Sequence, residues 1–319
     1  MAGLGQVNQR SEHENLVGRE LNGAYRIERQ LADGGMSLVF VAEQISLGRK
    51  VVVKVLRPGF DDEDFIQLFL REARINSQIN HPSVVSVFDF GRTDDGIVFI
   101  AMELLDGVTL GDVVESEGSL PVGNVVWLME QVCAGIHAAH KLDVVHRDLK
   151  PNNIMVVQLT GGDTRVKVLD FGISKPLGEE DLKHTKLGMV MGTPGYLSPE
   201  QIKGVPVDPR ADVYALGALL FFVLSGKRPF SGASHESIMG KQLSGDAPKL
   251  LDMSITDPLV LSLEPVIDQA MALDREMRYV DVKAVWQALL DHSKQFEKIV
   301  IDGEGDGKVK RSSNWNVMS

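Results

Sequence analysis

The residues that decide the fold are His146-Arg147-Asp148-Leu149-Lys150-Pro151-Asn152-Asn153, followed by Asp170-Phe171-Gly172 on the far side of a predicted hairpin. Carboxylate and amide oxygens are ligands that Mg²⁺ prefers to nitrogen or sulfur, so Asp170 and Asn153 suit a hard divalent cation. Asp148 and Lys150 add a carboxylate and a cation to the first of these stretches. Two ordered motifs of this kind rarely coincide by chance in an unrelated fold.

Together the two motifs resemble those of the eukaryotic-type serine/threonine protein kinases, and the stretches Gly34–Ser37 and Met102–Leu110 resemble the bacterial branch of that family. The resemblance runs from about Tyr25 to Phe296 and implies transfer of the γ-phosphoryl group of ATP to Ser/Thr hydroxyls of proteins. It also implies Mg²⁺ as cofactor, or Mn²⁺ in its place. By this resemblance Asp148 would orient the acceptor hydroxyl and take its proton, Lys150 would neutralise the transferring phosphate, and Asn153 and Asp170 would hold the metal.

Two charged residues upstream fit the same family. Lys54 ends the β-branched run that starts at Val51, and Glu72 lies on the helix predicted over Glu63–Ile79. Taken alone, each would be interpreted as a solvated surface charge. The resemblance implies instead that they form an ion pair, which places Lys54 on the α- and β-phosphates of ATP.

The glycine-rich loop that would cover the phosphates departs from the family pattern. Against G-x-G-x-x-G, Ala32 replaces the first glycine and Ser37 the third, so Gly34 and Gly35 remain to let backbone amides approach the phosphates. Val52 stands where the family usually has Ala against the adenine ring, which predicts a narrower pocket. The other nucleotide-binding positions that the resemblance implies are Leu31, Asp33, Val39, Met102, Glu103, Leu105 and Met155.

The stretch Gly192-Thr193-Pro194-Gly195-Tyr196-Leu197-Ser198-Pro199-Glu200 resembles the loop that receives the protein substrate. Small-molecule kinases share the catalytic-loop type but lack this loop, so a protein substrate is expected. The resemblance further implies that Glu200 pairs with Arg278 and that Asp212 holds the backbone of the catalytic loop.

Three hydroxyl residues are candidate phosphorylation sites: Ser174, Thr185 and Thr193. Thr185 is the preferred autophosphorylation site, because Arg147 precedes Asp148 and such an arginine pairs with an activation-loop phosphate in the family. Thr193 is expected to contact Asp148 and Lys150, which favours a structural role for its hydroxyl.

Hydrophobic patterning predicts an α+β fold with strands first and helices afterwards. The predicted strands are Leu38–Val41, Val51–Val55, Val84–Phe88 and Ile97–Ile100, and the predicted later helices are Val122–Lys141, Ala211–Ser225, Ser234–Ser244, Pro258–Ala272 and Val280–His292. In the two-lobed kinase fold, residues 21–103 would form a small antiparallel N-lobe with one helix, and residues 104–297 a larger helical C-lobe. Residues 1–20 and 298–319 are predicted to be flexible tails.

Composition limits the other functions that this chain could have. The net charge of -11 argues against a primary role in binding nucleic acid or an anionic membrane. The first 20 residues have neither the charged start nor the apolar stretch expected of a signal peptide, and the longest apolar run, Ala215–Leu224, is shorter than the roughly 20 residues of a membrane-spanning helix. The single cysteine, Cys133, is expected to be a core thiol, and a cytoplasmic location fits.

Two possibilities stay open at this point. Ala32 and Val52 are compatible with a pseudokinase, a nucleotide-binding scaffold that does not transfer phosphate. Relatives also suggest, by analogy alone, a homodimer formed through the N-lobe.

Overall fold

The computed structural model describes residues 16–60, 62–159, 162–171 and 193–302. The chain divides into two compact units. The first contains residues up to Asn80 together with Val85–Leu105, and the second contains His81–Val84 together with the chain from Asp106 onward.

The first unit is a six-stranded antiparallel sheet with one helix. The strands lie in the order β1-β2-β3-β4-β6-β5, with the bounds β1 Glu20–Leu21, β2 Tyr25–Asp33, β3 Ser37–Gln44, β4 Arg49–Leu56, β5 Val87–Arg92 and β6 Val98–Glu103. Helix α1, Glu63–Asn76, begins at Asp62, whose carboxylate accepts the backbone N–H of Asp64. Such an N-cap satisfies a donor that the first helical turn would otherwise leave unpaired.

The pleat of β4 and β6 divides the core of this unit into two clusters. Val51, Val53 and Val55 join a cluster with Phe99 and Ala101. Residues of opposite parity in β6, Val98 and Ile100, belong to a second cluster with the apolar residues of α1. Because side chains alternate along a strand, and Lys54 is paired with Ile100, Lys54 lies on the face of the sheet that carries the helix.

Two predictions for this unit are wrong. The sequence predicts a flexible tail that includes residues 16–20, but Leu16 is only 1% exposed and the N–H of Gly18 donates to the carbonyl of Ile27 at 2.8 Å. The strand expected at Val84–Phe88 is displaced to β5, because Val84 instead makes a parallel bridge with Val168 of the second unit's own sheet.

The second unit combines a three-stranded sheet with most of the helices. The sheet has the order β7-β8-β9, with the bounds β7 Gly107–Thr109, β8 Ile154–Gln158 and β9 Thr164–Val168. The helices are α2 Leu110–Glu117, α3 Val122–His140, α4 Pro199–Ile202, α5 Arg210–Ser225, α6 His235–Ser244, α7 Pro258–Leu261, α8 Glu264–Ala270 and α9 Val282–Asp302, and short 3₁₀ turns occupy Pro151–Asn153, Leu251–Met253 and Arg275–Met277.

The single helix expected at Pro258–Ala272 is in fact two helices, α7 and α8. Pro265 lies in the first turn of α8, where its missing N–H costs nothing, whereas inside a continuous helix its ring would clash with a carbonyl one turn earlier. At the C-terminal end, α9 continues to Asp302, so the first five residues of the expected tail, 298–302, are helical.

Helix α5 is the centre of the second unit. Every residue from Ala211 to Leu224 is buried, as expected for the apolar run in this segment. Gly217 lets α8 approach, because a Cβ there would lie 2.8 Å from the Cβ of Ala270. Cys133 is buried on α3, and burial raises the pKa of its thiol, which fits an inert core residue. Within the described part of the chain, no helix is both long enough and apolar enough to cross a membrane.

Candidate active site

The segment His146–Asp148 is held by one buried carboxylate. Asp212 of α5 accepts the backbone N–H of His146 at 2.8 Å and that of Arg147 at 3.0 Å, and it also accepts the Nε2–H of His140 at 2.7 Å. Burial alone would raise the pKa of the Asp212 carboxyl, but the hydrogen bond and charge of His140 outweigh it and hold that pKa below its ordinary value. The charged carboxylate therefore fixes the backbone just before Asp148.

The His146 side chain links this segment to Asp170-Phe171. Its Nδ1 accepts the backbone N–H of Asp148 at 3.2 Å, and its Nε2 donates to the carbonyl of Leu169 at 2.9 Å. The imidazole lies 4.5 Å from the ring of Phe171 and is fully buried. These contacts require the neutral Nε2–H tautomer, since Nδ1 is an acceptor.

Lys150 contacts both Asp148 and Thr193, and its contact with Thr193 agrees with the prediction from the sequence. The Nζ of Lys150 lies 3.0 Å from Oδ2 of Asp148 and donates to Oγ1 of Thr193 at 3.0 Å. Lys150 thereby joins the carboxylate of the catalytic loop to the first described residue of the substrate loop.

Asn153 orients the same carboxylate and suits a metal ion. Its Nδ2 donates to the backbone carbonyl of Asp148 at 2.9 Å and to Oδ2 of Asp148 at 3.2 Å. Because Nδ2 is engaged by Asp148, Oδ1 is the amide atom that could bind a cation. Asp170 lies near it, because the backbone N–H of Leu169 donates to the carbonyl of Asn153 at 2.8 Å. An amide oxygen and a carboxylate in adjacent segments fit Mg²⁺.

The end of the substrate loop is fixed from two sides. Ser198 and Gln201 form a capping box that starts α4, and the Nε2 of Gln201 donates to the backbone carbonyl of Arg147 at 2.7 Å. Glu200 makes a bidentate pair with Arg278 at 2.7 and 2.9 Å, and the Arg278 side chain is 0% exposed. Burial would raise the pKa of Glu200, but the hydrogen bonds and charge of Arg278 outweigh it and lower that pKa.

In the first unit, Lys54 and Glu72 lie together as the resemblance implied. The Nζ of Lys54 is 3.8 Å from Oε1 of Glu72, and their side chains are 16% and 7% exposed. β4 supplies the lysine and α1 the glutamate, on the shared face described above. Partial burial strengthens their attraction relative to a surface pair.

The glycine-rich loop is the turn between β2 and β3. Leu31, Ala32 and Asp33 end β2 in exposed positions, and Gly34 closes the turn by donating its N–H to the carbonyl of Ser37 at 3.0 Å. Gly35 is exposed and has open space where a Cβ would stand. An exposed backbone turn of this kind can present amides to phosphate groups.

Arg57, to which no motif in the sequence points, holds this turn in place. Its guanidinium contacts the carboxylate of Asp33 and donates to the carbonyl of Gly34 at 2.9 Å. Its backbone N–H donates to the carbonyl of Met36 at 2.9 Å. The chain that follows β4 therefore holds both the side chain and the backbone of the loop.

The predicted adenine positions of the first unit lie on neighbouring strands. Val52 of β4 is paired with Val41 of β3 and with Met102 of β6, and Val39 of β3 is paired with Lys54. Val52 is buried, whereas Val39 and Met102 are partly exposed. The N–H of Glu103 donates to the carbonyl of Ser86. Leu105 ends the first unit, and Met155 lies on β8 of the second unit, paired with Lys167.

Two predicted phosphorylation sites, Ser174 and Thr185, lie outside the described residues, and so does Gly172.

Residues 25–292 match the family of the protein kinase domain. The chain belongs to the protein kinase family. Among curated relatives, the serine/threonine-protein kinase PrkC of Bacillus subtilis is 37% identical over 289 residues, 88% of this kinase chain and 43% of PrkC. The serine/threonine-protein kinase pkn3 of Myxococcus xanthus is 42% identical over 238 residues, 74% of this chain and 44% of pkn3. The kinase chain thus spans less than half the length of these relatives.

The crystal structure of the PknI kinase domain of Mycobacterium tuberculosis is similar in fold, with a TM-score of 0.67 at 26% identity. It covers 86% of this chain, and the alignment includes 98% of that domain. The predicted fold class and the predicted membership of the bacterial serine/threonine kinases are confirmed. The kinase has an antiparallel N-lobe sheet and a helical C-lobe.

As with Arg57, no motif in the sequence points to Gln201 and Gln242, whose side chains contact the backbone of functional loops. Nothing in the local sequence distinguishes these glutamines from exposed polar residues of a helix.

Proposed function

We propose that this chain catalyses transfer of the γ-phosphoryl group of ATP to Ser or Thr hydroxyls of proteins. The observation that carries the proposal is the contact among Asp148, Lys150 and Thr193, which joins a carboxylate base to a cation and to the substrate loop. Phosphoryl transfer requires mainly positioning and charge neutralisation, because the transition state is loose and its charge is spread over several oxygens.

Asp148 would orient the acceptor hydroxyl and accept its proton. Lys150 and Asn153 both reach its Oδ2 and so set the direction of the carboxylate. A base held in this way loses little freedom when the acceptor arrives, which favours the reactive geometry.

Two lysines would neutralise phosphate charge. Lys150 lies beside the base, where the transferred group would pass, and Lys54 is placed by Glu72 to bind the α- and β-phosphates. Asn153 and Asp170 would hold Mg²⁺, or Mn²⁺. When bound, the metal would supply positive charge to the phosphate oxygens.

ATP itself would be bound by the glycine-rich turn and by the strands around it. The positions proposed to contact it are Leu31, Ala32, Asp33, Gly34, Gly35, Val39, Val52, Met102, Glu103, Leu105 and Met155. The backbone of Glu103 and Leu105 would hydrogen-bond adenine, and the apolar side chains would enclose the ring.

We further propose that the chain acts on protein substrates and is cytoplasmic. We also propose a homodimer through the N-lobe and activation by phosphorylation of Thr185. The partition into an N-lobe of residues 21–103 and a C-lobe of residues 104–297 is a further proposal. The homodimer would be absent if gel filtration gave a monomer at all concentrations. The activation proposal would fall if phosphopeptide mapping of active enzyme found Thr185 unmodified.

The test is transfer of labelled phosphate from ATP to dephosphorylated casein by the purified chain. Asp148→Asn and Lys54→Met are expected to lower transfer by at least about 10²-fold, since each removes a group that acts on the reacting atoms. Asp163→Asn and Lys50→Met are matched controls at exposed positions and should retain wild-type transfer. ATP binding without any transfer by the wild type would favour the pseudokinase alternative.

A further inference from the structure

Helix α6 has an unusual buried residue. Gln242 is the one side chain of this helix that is fully buried, at 0% exposure, and the other residues of α6 are exposed or half-buried. Burying an amide is unfavourable unless its polar atoms find partners. The partners of Gln242 therefore indicate what the residue is for.

Both polar atoms of Gln242 bind the backbone of the substrate loop. Its Oε1 accepts the N–H of Gly195 at 2.9 Å, and its Nε2 donates to the carbonyl of Leu197 at 2.7 Å. These two groups lie on either side of Tyr196, so one side chain brackets three consecutive residues. Gly195 has φ +101°, a conformation that residues with a Cβ rarely adopt. The loop thus has a specific backbone conformation, and Gln242 hydrogen-bonds to it.

The same loop is fastened to the catalytic loop at both ends. At its start Thr193 accepts a hydrogen bond from Lys150, and after its end Gln201 donates to the carbonyl of Arg147. Gln242 supplies the connection in the middle, where neither of those contacts reaches. A shift in the middle of the loop would therefore move the acceptor relative to Asp148 while leaving the ends attached.

We propose that Gln242 is a positioning residue for the protein acceptor, holding the backbone of residues 195–197 in the shape onto which the acceptor chain docks. This inference rests on the proposed kinase function and adds to it a residue outside the family motifs. Gln242 acts through the loop and touches no reacting atom.

The proposal separates acceptor binding from ATP chemistry. Without the Gln242 amide, the N–H of Gly195 and the carbonyl of Leu197 lose their partners in a buried position, and the loop must change shape to recover them. The groups proposed to bind ATP and metal lie elsewhere in the chain. The loss should therefore appear in the kinetics of the acceptor and not in those of ATP.

The test compares Gln242→Met with the wild type, using dephosphorylated casein as acceptor. Methionine is close to glutamine in length and volume and lacks both hydrogen-bonding groups. We expect kcat/KM for casein to fall by about tenfold or more, the loss of roughly 1.4 kcal/mol. KM for ATP and acceptor-independent ATP hydrolysis should stay within about twofold of the wild type.

Gln131→Met is the matched control. Gln131 also accepts a backbone N–H, that of Val166 at 3.1 Å, and donates to a backbone carbonyl, that of Trp127 at 3.5 Å. It belongs to α3, away from the substrate loop. Any change that it causes should affect casein and ATP kinetics equally, as a purely structural role would.

Other outcomes would contradict the proposal. Equal losses in casein and ATP kinetics for Gln242→Met, or no loss in either, would overturn the positioning role. If the methionine variant does not fold, Gln242→Asn keeps the amide but shortens its reach, and the same comparison applies. A wild type that transfers no phosphate to any protein would remove the proposed function, and this inference with it.

Discussion

The carboxylate of Asp212 accepts the backbone N–H of Arg147 at 3.0 Å, and Arg147 has φ +64°. A non-glycine residue in this region of backbone space costs about 1–3 kcal/mol and persists only where its surroundings hold it. Asp212, from the buried helix α5, supplies that support one residue before Asp148. The strained backbone of Arg147 and the buried carboxylate of Asp212 thus act together to position Asp148.

Asp212→Asn should therefore impair both stability and catalysis. The amide can accept one of the two backbone N–H groups but turns its own hydrogens toward the other, so a buried donor is left unpaired. We expect a loss of about 2–4 kcal/mol in the free energy of unfolding, measured in urea, and a fall in kcat of about 10²-fold, since small displacements of a base are costly. Asp291→Asn, at an exposed position of α9, is the control. Wild-type kcat in Asp212→Asn would mean that the backbone needs no such support.

The buried pair of Glu200 and Arg278 predicts a pH dependence of stability. Glu200→Gln leaves the Arg278 charge buried without its partner, so we expect a loss of about 3–5 kcal/mol at pH 7. The pKa of Glu200 in the folded chain lies below its ordinary 4.5, because Arg278 outweighs the effect of burial. The contribution of the carboxylate is therefore fully present above pH 4.5 and is lost as the pH falls through the lower, folded value.

The measurement is the difference in unfolding free energy between wild type and Glu200→Gln from pH 7 to pH 3.5. The difference should shrink below pH 4.5. Asp268→Asn removes the partner of Lys249 in an exposed pair and should cost less than about 1 kcal/mol throughout. A difference for Glu200→Gln that stays constant over this range would show that its carboxylate does not carry the effect.

Gly107→Ala should disturb the start of the second unit. A Cβ at Gly107 would lie 2.2 Å from the backbone oxygen of Val156, and the backbone of β8 cannot move aside without breaking its pairing with β9. Overpacking of this kind costs about 1–3 kcal/mol. Urea unfolding should show that loss, and hydrogen exchange should show faster exchange in β7 and β8.

The matched control is a glycine whose replacement by alanine should raise the free energy of unfolding. Gly123 lies in helix α3 with no atom within 4 Å of an added Cβ, so Gly123→Ala should stabilise the chain by about 0.5–1 kcal/mol. A stabilising effect of Gly107→Ala as well would mean that β7 and β8 approach less closely than this geometry requires.

Arg57→Ala should lower the affinity for ATP without abolishing turnover. The guanidinium fastens the glycine-rich turn through Asp33 and Gly34, but it is partly exposed, so its contribution is modest. We expect KM for ATP to rise about two- to fivefold, with kcat nearly unchanged. In an Asp33→Ala background, Arg57→Ala should raise KM for ATP by a smaller factor. The control is Arg92→Ala, which breaks an exposed pair with Glu63. Full additivity of the two changes would exclude a coupling between Arg57 and Asp33.

Many contacts of the site could be predicted because the family motifs occur in a fixed order along the chain, and that order identifies which residues should meet. The contacts of Asp212, Glu200 and Lys54 follow from that order and are seen in the structure. The strands of the first unit were predictable from β-branched runs, and their alternation explains why Lys54 faces α1. Motif and periodicity carry this information because both are properties of neighbouring residues.

Other features depend on contacts that no local pattern contains. Gln242 occurs in a helix with polar surroundings, and only the loop folded against it explains why it is buried. Leu16 joins the core from the short turn before the two-residue strand β1, and neither segment is long enough to give a pattern. The break between α7 and α8 could have been found, since Pro265 inside a helical pattern is a known stop signal.

The central claim is tested most directly by intact-mass spectrometry of the purified chain after incubation with ATP and Mg²⁺, beside Asp170→Asn. The proposed kinase activity predicts added masses of about 80 Da per phosphate in the wild type and none in the variant, because Asp170 is proposed to hold the metal. Protein phosphorylation in both chains, or in neither while casein also remains unlabelled, would contradict it.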